Sequence, residues 1–236
     1  DTTWFNNAAR KSMITKDSMF STILQQSFDQ RLTFTAQLEP VRDLTISVNV
    51  SKTFNKNYSE LFKDTTGTGN NFGHLSPYAG GGFDVSYIAY KTLFGKFDPN
   101  RVSETFVTFQ NNRQILSERL GKLNPNSGGT SGEYYKGYNK YAADVLIPAF
   151  IAAYTGQDPQ KVGLIKQSNP NIKSNPFRSI IPRPNWKVDY SGLSRIKGLD
   201  NIFTNFTLSH GYNGNLSMNG FTSALLYQDI GNTGSP

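Results

Sequence analysis

The sequence predicts a mainly β fold of antiparallel strands forming part of a barrel wall, with an α-helical loop insertion. Three observations carry that prediction. First, RLTFTAQLEP from Arg31 and DLTISVNVSKTF from Asp43 alternate strictly, the period of a sheet with one apolar and one polar side. Second, the polar side is neutral, built from Thr, Ser, Asn and Gln, where the solvated face of a soluble sheet usually carries Lys and Glu. Third, 17 Phe, 12 Tyr, 2 Trp and 21 Gly, with abundant Asn, Ser and Thr, suit strands and turns better than helical bundles.

Leu32, Phe34, Ala36 and Leu38 share one face of the first strand, and Leu44, Ile46, Val48 and Val50 one face of the second. The opposite faces carry Thr33, Thr35 and Gln37, then Thr45, Ser47 and Asn49. Pairing Leu38 with Leu44 sets Ala36 against Ile46, Phe34 against Val48 and Leu32 against Val50, so every apolar residue shares a side. A two-residue loop of Val41 and Arg42 pairs Leu38 with Thr45 and scrambles both faces. The longer loop through Pro40, Val41 and Arg42 is therefore expected. Such two-sidedness fits an apolar face against lipid and a neutral polar face along a watery lumen. The aliphatic set is the candidate lipid-facing surface, and the Thr/Ser/Asn/Gln set the candidate lumen-facing one.

The remaining elements follow in order. Met19, Phe20, Ile23 and Leu24 have a weak helical spacing, with a strand as the alternative. Residues 55–80 are polar and Gly-rich and read as a loop. Gly80, Gly81 and Gly82 open the alternating stretch FDVSYIAYKTLF. At Asp98 the period changes: Val102, Phe106, Phe109, Leu116 and Leu120 form one helical stripe, widened by Ile115. Asp98 or Ser103 would cap its start, and Gly121 would supply the positive-φ residue at its end. Residues 122–140 read as a mobile Gly/Ser/Tyr-rich segment. A second helix is predicted from Ala142 to Tyr154, with Asp144 as its N-cap and Gly156 as its stop. A turn begins at Asp158-Pro159.

Strand pattern returns with NWKVDYSGL after Pro182 and Pro184, where Trp186, Val188 and Tyr190 share a face. Trp186 and Tyr190 are the candidate interfacial aromatics. Asn213-Gly214 resembles a type I′ turn. A hairpin there, however, pairs Tyr212 with Asn215 and Leu208 with Asn219, apolar against polar. One long strand keeps Phe206, Leu208, His210, Tyr212, Leu216 and Met218 on one parity and is favoured. The organisation read from this pass is strands and a loop over 1–97, a helical insertion over 98–181 and strands over 182–236.

Chemistry is hard to place. The chain of 236 residues has no Cys and only His74 and His210, so thiolate and His-rich metal sites are excluded and no cofactor is expected. Glu104 and Glu118 are too far apart to act together, and His210 has no clear acidic partner. There is no GxSxG, phosphate loop or HExxH, and no enzymatic activity is expected. The net charge of +7 is scattered, so it reads as solvated loop charge rather than a nucleic-acid surface. The most apolar segment, Ala142 to Tyr154, is too short to span a bilayer as a helix and contains Pro148. Any membrane crossing would be by strands. Both ends read as cut from something longer.

Several segments together resemble the C-terminal part of the SprA (Sov) family. They are LEPVRDLTISVNVSKTFNKNYSELF, GGFDVSYIAYKTLF, FVTFQNNRQILSERLG, YAADVLIPAFIAAYTGQDPQKV, IPRPNWKVDYSGLSRI and FTNFTLSHGYNGNLSMNGFTS, in order over most of residues 30–228. The resemblance implies a segment of one very large outer-membrane β-barrel, the translocon of the Bacteroidota type 9 secretion system, which also supports gliding motility. It implies secreted cargo proteins, a PorV-like barrel and a plug protein as partners, outer-membrane lipid around the wall, and no catalytic residues. The alternative is a soluble or surface-exposed β-rich glycan-binding or adhesin module, in which the helices would cover the Leu32/Val48 face.

Overall fold

The computed structural model describes residues 2–89, 98–165, 171–198 and 202–224. In chain order its elements are α1 (Thr2–Arg10), β1 (Leu24–Val41), β2 (Leu44–Asp64), β3 (Phe72–Ser86), α2 (Glu104–Leu123), β4 (Thr130–Ser131), β5 (Tyr134–Tyr135), α3 (Ala143–Thr155), β6 (Asn185–Tyr190), β7 (Leu208–Tyr212) and β8 (Asn215–Ala224). β4 and β5 pair only with each other. The other six strands form one antiparallel sheet. The fold is mainly β, as expected. Among the described residues the sheet is open, with β1 at one edge and β7 and β8 along the other.

The β1–β2 hairpin corrects the predicted register by two residues. Leu38 pairs with Ile46, Ala36 with Val48 and Phe34 with Val50, and Leu32 lies opposite Lys52. The loop is the tight turn Arg42–Asp43, with Val41 paired to Leu44 and Asp43 in the left-handed region at φ 67°. A register carried unbroken from that turn would set Leu38 against Ser47. A bulge between Leu38 and Val41 adds one residue to β1 and restores apolar-to-apolar pairing. Pro40 lies in it, where a missing N–H costs no ladder hydrogen bond.

A second correction concerns residues 55–80. β2 runs on to Asp64, and β3 begins at Phe72. Phe54, Lys56, Tyr58, Glu60, Phe62 and Asp64 alternate inward and are all buried. Three charged residues among them gave the stretch its loop-like polarity. The turn between these strands is short, and Asp64 organises it. Its carboxylate accepts hydrogen bonds from the Thr66 N–H (3.0 Å) and hydroxyl (3.1 Å) and from the Gly69 N–H.

β3 and β6 are two parts of one strand line. β2 pairs with Val85 at Lys52 and with Asn185 at Asn49. Three steps along β2 therefore carry its neighbour from Val85 past Tyr87 directly to Asn185. The far side repeats the arithmetic, since β8 pairs Asn215 with Ser86 and β7 pairs Tyr212 with Trp186. Hydrogen bonds knit the junction: Ser51 N–H to Ser86 Oγ (3.0 Å), Arg183 N–H to Ser86 O (2.7 Å) and Tyr87 N–H to Gly214 O (3.0 Å). Residues 88–184 thus interrupt the third line of a four-line meander. β7 and β8 are the collinear fourth line, with Asn213-Gly214 between them and no hairpin. The predicted single strand is there, although it breaks for two residues.

Within the insertion α2 packs on α3. Leu116 and Leu120 are buried, while Val102 precedes the helix and is exposed with Phe106. Ser103 precedes α2 without a side-chain cap. Gly121 does not end the helix. It lies inside the last turn, where an added Cβ would fall 2.2 Å from the Tyr135 ring. Its role is close approach rather than positive φ. Residues 122–140 contain the β4–β5 pair and are tied to α2, Ser117 Oγ donating to Tyr138 O (2.7 Å) and accepting from Tyr135 N–H (2.9 Å). α3 ends as predicted at Gly156, φ 73°. Asp144 is not its N-cap: Ala142 holds that place and Asp144 lies in the first turn. At Asp158 the N–H groups of Lys161 and Val162 both donate to its carbonyl, giving the expected turn. α1 was not foreseen, and Met19 and Ile23 lie exposed between it and β1. Strand-like residues 90–94 lie outside the described residues.

Candidate functional site

One face of the sheet is divided in two. On β2 the even-numbered residues from Phe54 to Asp64 are covered. Phe54, Phe83, Val85 and Phe221 from the sheet join Leu116, Leu120, Val145, Ile151 and Phe177 from the insertion in the main core. Phe5 of α1 closes the far end over Tyr58, Phe62 and Ala79. Among the described residues nothing of that kind covers the even-numbered residues from Leu44 to Val50, which are half-buried.

The uncovered half is a continuous apolar surface four strands wide. Cross-strand rows run Ala36–Val48–Trp186–Tyr212, Leu38–Ile46–Val188–His210 and Val41–Leu44–Tyr190–Leu208. Leu32, Phe34 and Leu38 are 53%, 57% and 53% exposed, and Ala36 is half-buried. Trp186 stacks on Tyr212 at 5.1 Å between centroids. No Asp, Glu, Lys or Arg occurs in these rows. His210 sits among them beside Trp186, at 6.5 Å. The helices therefore do not cover the Leu32/Val48 face, as the soluble-module alternative required.

The opposite face carries Thr33, Thr35 and Gln37, which are exposed, with Thr45, Ser47 and Asn49, which are half-buried. An open hollow of about 650 Å3 over this part of the sheet is lined along the rows Thr35–Asn49–Asn185–Asn213 and Gln37–Ser47–Lys187. Ala36, Val48, Trp186 and Tyr212 form the line between those rows. Phe34, Leu38, Ile46, Val50 and Val188, which point the other way, take no part.

The covered half holds the ionisable groups that sequence reasoning missed. Glu60, with a fully buried side chain, bonds His74 Nδ1 at 2.7 Å. Burial raises the Tyr58 hydroxyl pKa, helped by the charge of Glu60 and a hydrogen bond to it. Burial lowers the pKa of Lys56, whose Nζ donates to Asn171 O at 3.0 Å. Burial pushes the Asp64 carboxyl up, but the hydrogen bonds from Thr66 and Gly69 outweigh it and hold the pKa below the usual carboxylate range. The alternation of β2 contained the signal for these groups, because their parity continues that of Leu44 to Val50. Among the described residues no group of three or more His, Asp or Glu is placed to hold a metal. Glu104 and Glu118 stay apart, and Glu118 pairs with Lys122.

Comparison with known protein families finds no match, and no curated protein matches the sequence. None of the described helices is long and apolar enough to cross a membrane, which says nothing of strands.

Proposed function

We propose that this chain is a wall segment of an outer-membrane β-barrel. The Leu32/Val48 face meets lipid, and the Thr33/Ser47 face lines an aqueous lumen. The particular barrel it fits is a SprA-like translocon of the type 9 secretion system, conducting cargo proteins to the cell surface. That assignment rests on the ordered resemblance of residues 30–228.

One observation carries the membrane reading. The most open part of the apolar face has no formal charge, while the covered part of the same face carries Lys56, Glu60 and Asp64. Water-exposed surfaces have the reverse distribution. Neutral hydroxyl and amide groups would hydrate passing polypeptide without binding either charge strongly. Two open edges call for further strands, because unpaired edges do not occur in lipid. By resemblance, a PorV-like barrel and a plug protein contact the wall, and the assembly serves gliding motility as well as export.

The test is a pair of arginine substitutions in chain folded into bilayers. Val48→Arg should cost about 2–4 kcal/mol and Ser47→Arg close to zero. Equal tolerance at the two positions, or a chain that is monomeric in water and leaves lipid aside, would defeat the reading.

A further inference from the structure

The segment from Asn171 to Pro184 runs over the sheet from Lys56, in the covered half, to Lys52, at the border with the open half. Three contacts pin it there. Lys52 Nζ donates to the carbonyls of Phe177 (3.3 Å), Arg178 (3.1 Å) and Ile180 (2.7 Å). Lys56 Nζ donates to Asn171 O. The Phe177 ring packs on Phe83 at 4.3 Å and on Phe54 at 6.3 Å. This strap is therefore a fixed platform. It then delivers the chain to Asn185 beside Asn49, and the next residue, Trp186, opens the apolar rows.

The strap is purely cationic. Its sequence NIKSNPFRSIIPRP holds Lys173, Arg178 and Arg183 with no Asp or Glu, and all three cations are exposed. Among the described residues none of them pairs with a carboxylate. Arg178 adds its positive charge to that of Lys52. Between Arg178 and Arg183 the Ile181 side chain is 73% exposed, beside the uncovered band. A cluster of like charges without counter-charge, adjoining bare apolar surface and a tryptophan, has the composition of a membrane–water boundary.

The height of the band sets the level of the strap. The open even-numbered run on β2 is Leu44 to Val50, about 20 Å along the strand, whereas a tilted spanning strand needs about 9–11 residues. If lipid meets this band, headgroups reach the strap rather than stopping short of it. We propose that Arg178 and Arg183 form a rim that binds the phosphates of anionic lipid headgroups at the edge of the apolar band. The rim rests on the lipid-facing reading of that band and adds to it a headgroup preference.

The experiment is co-sedimentation of the whole 236-residue chain with phosphatidylcholine vesicles and with vesicles containing about one-third phosphatidylglycerol. Wild type should prefer the anionic vesicles. Arg178→Gln with Arg183→Gln should lower that partitioning about fivefold per arginine, leave binding to phosphatidylcholine unchanged and keep the wild-type circular dichroism. Lys122→Gln, which removes one charge from the last turn of α2, should leave the preference intact. A double variant that keeps the full preference overturns the rim, as does a control that loses as much per charge. Equal wild-type binding to both vesicles also defeats the rim but spares the lipid-facing band. Failure to bind either vesicle defeats the band and the rim together.

Discussion

Two stretches of β2 point to the same side of one sheet and obey opposite rules. From Leu44 to Val50 the side chains are aliphatic, uncharged and half open. From Phe54 to Asp64 they alternate aromatic with charged and are buried. The difference lies in what covers them. On the covered stretch a lysine finds a backbone carbonyl of the insertion, a glutamate finds His74 of β3 and an aspartate finds a turn of N–H groups. A charge with partners of that kind can be buried at tolerable cost. On the open stretch the chain supplies no partners, and no charge occurs there. Exposure and polarity have come apart, the pattern from which the lipid-facing role is proposed.

That contrast can be broken most severely at its centre. Phe54→Ala should destabilise the fold by about 3–5 kcal/mol, because the ring touches Phe28, Phe177 and Phe221. Phe34→Ala, on the open stretch and 57% exposed, should cost far less in the same denaturant titration. Near-equal losses would mean that both stretches belong to one dry interior.

A subtler probe is the Glu60–His74 hydrogen bond of the covered stretch. His74→Ala leaves the buried Glu60 carboxylate without its nearest donor and should cost about 1–3 kcal/mol in the same titration. Glu60→Leu with His74→Leu should recover part of that loss, since an apolar pair of similar volume leaves no orphan.

The smallest effect concerns acid. The Asp64 carboxyl has a lower pKa folded than unfolded. Its stabilisation is present above the unfolded value, about 3.9, and is lost as pH falls through the folded one. Stability measured from about pH 5 down to pH 2 should therefore decline with a contribution from this group. Asp64→Asn should remove that contribution and leave a shallower acid slope.

Alternation made the two faces of β1 and β2 legible, and parity alone identified the collinear β7 and β8. Register was not legible at the same depth. A slip of two residues preserves parity, so the pattern could not distinguish Leu38 opposite Leu44 from Leu38 opposite Ile46. The bulge at Pro40 decided it. The second half of β2 was hidden because Lys56, Glu60 and Asp64 look like solvent-facing residues until a covering layer is known. Gly121 was misread for a related reason: a glycine near a helix end signals termination unless a tyrosine from elsewhere needs the space. Of the candidate site, the aliphatic and polar sets and Trp186 were visible as a pattern. The cationic strap was not, because its meaning depends on where Lys52 pins it.

The interrupted third line has a consequence for how such a wall can change over time. Tyr87 and Asn185 are consecutive rungs to both flanking strands; Gly214 accepts from the Tyr87 N–H and donates to Asn185 Oδ1, and the Arg183 N–H bonds Ser86 O across the cut. Whatever is spliced between those rungs leaves the ladder on either side in step. The site behaves as a socket: cassettes of different length or shape could be exchanged there across generations, or by an engineer, without re-threading the meander around them.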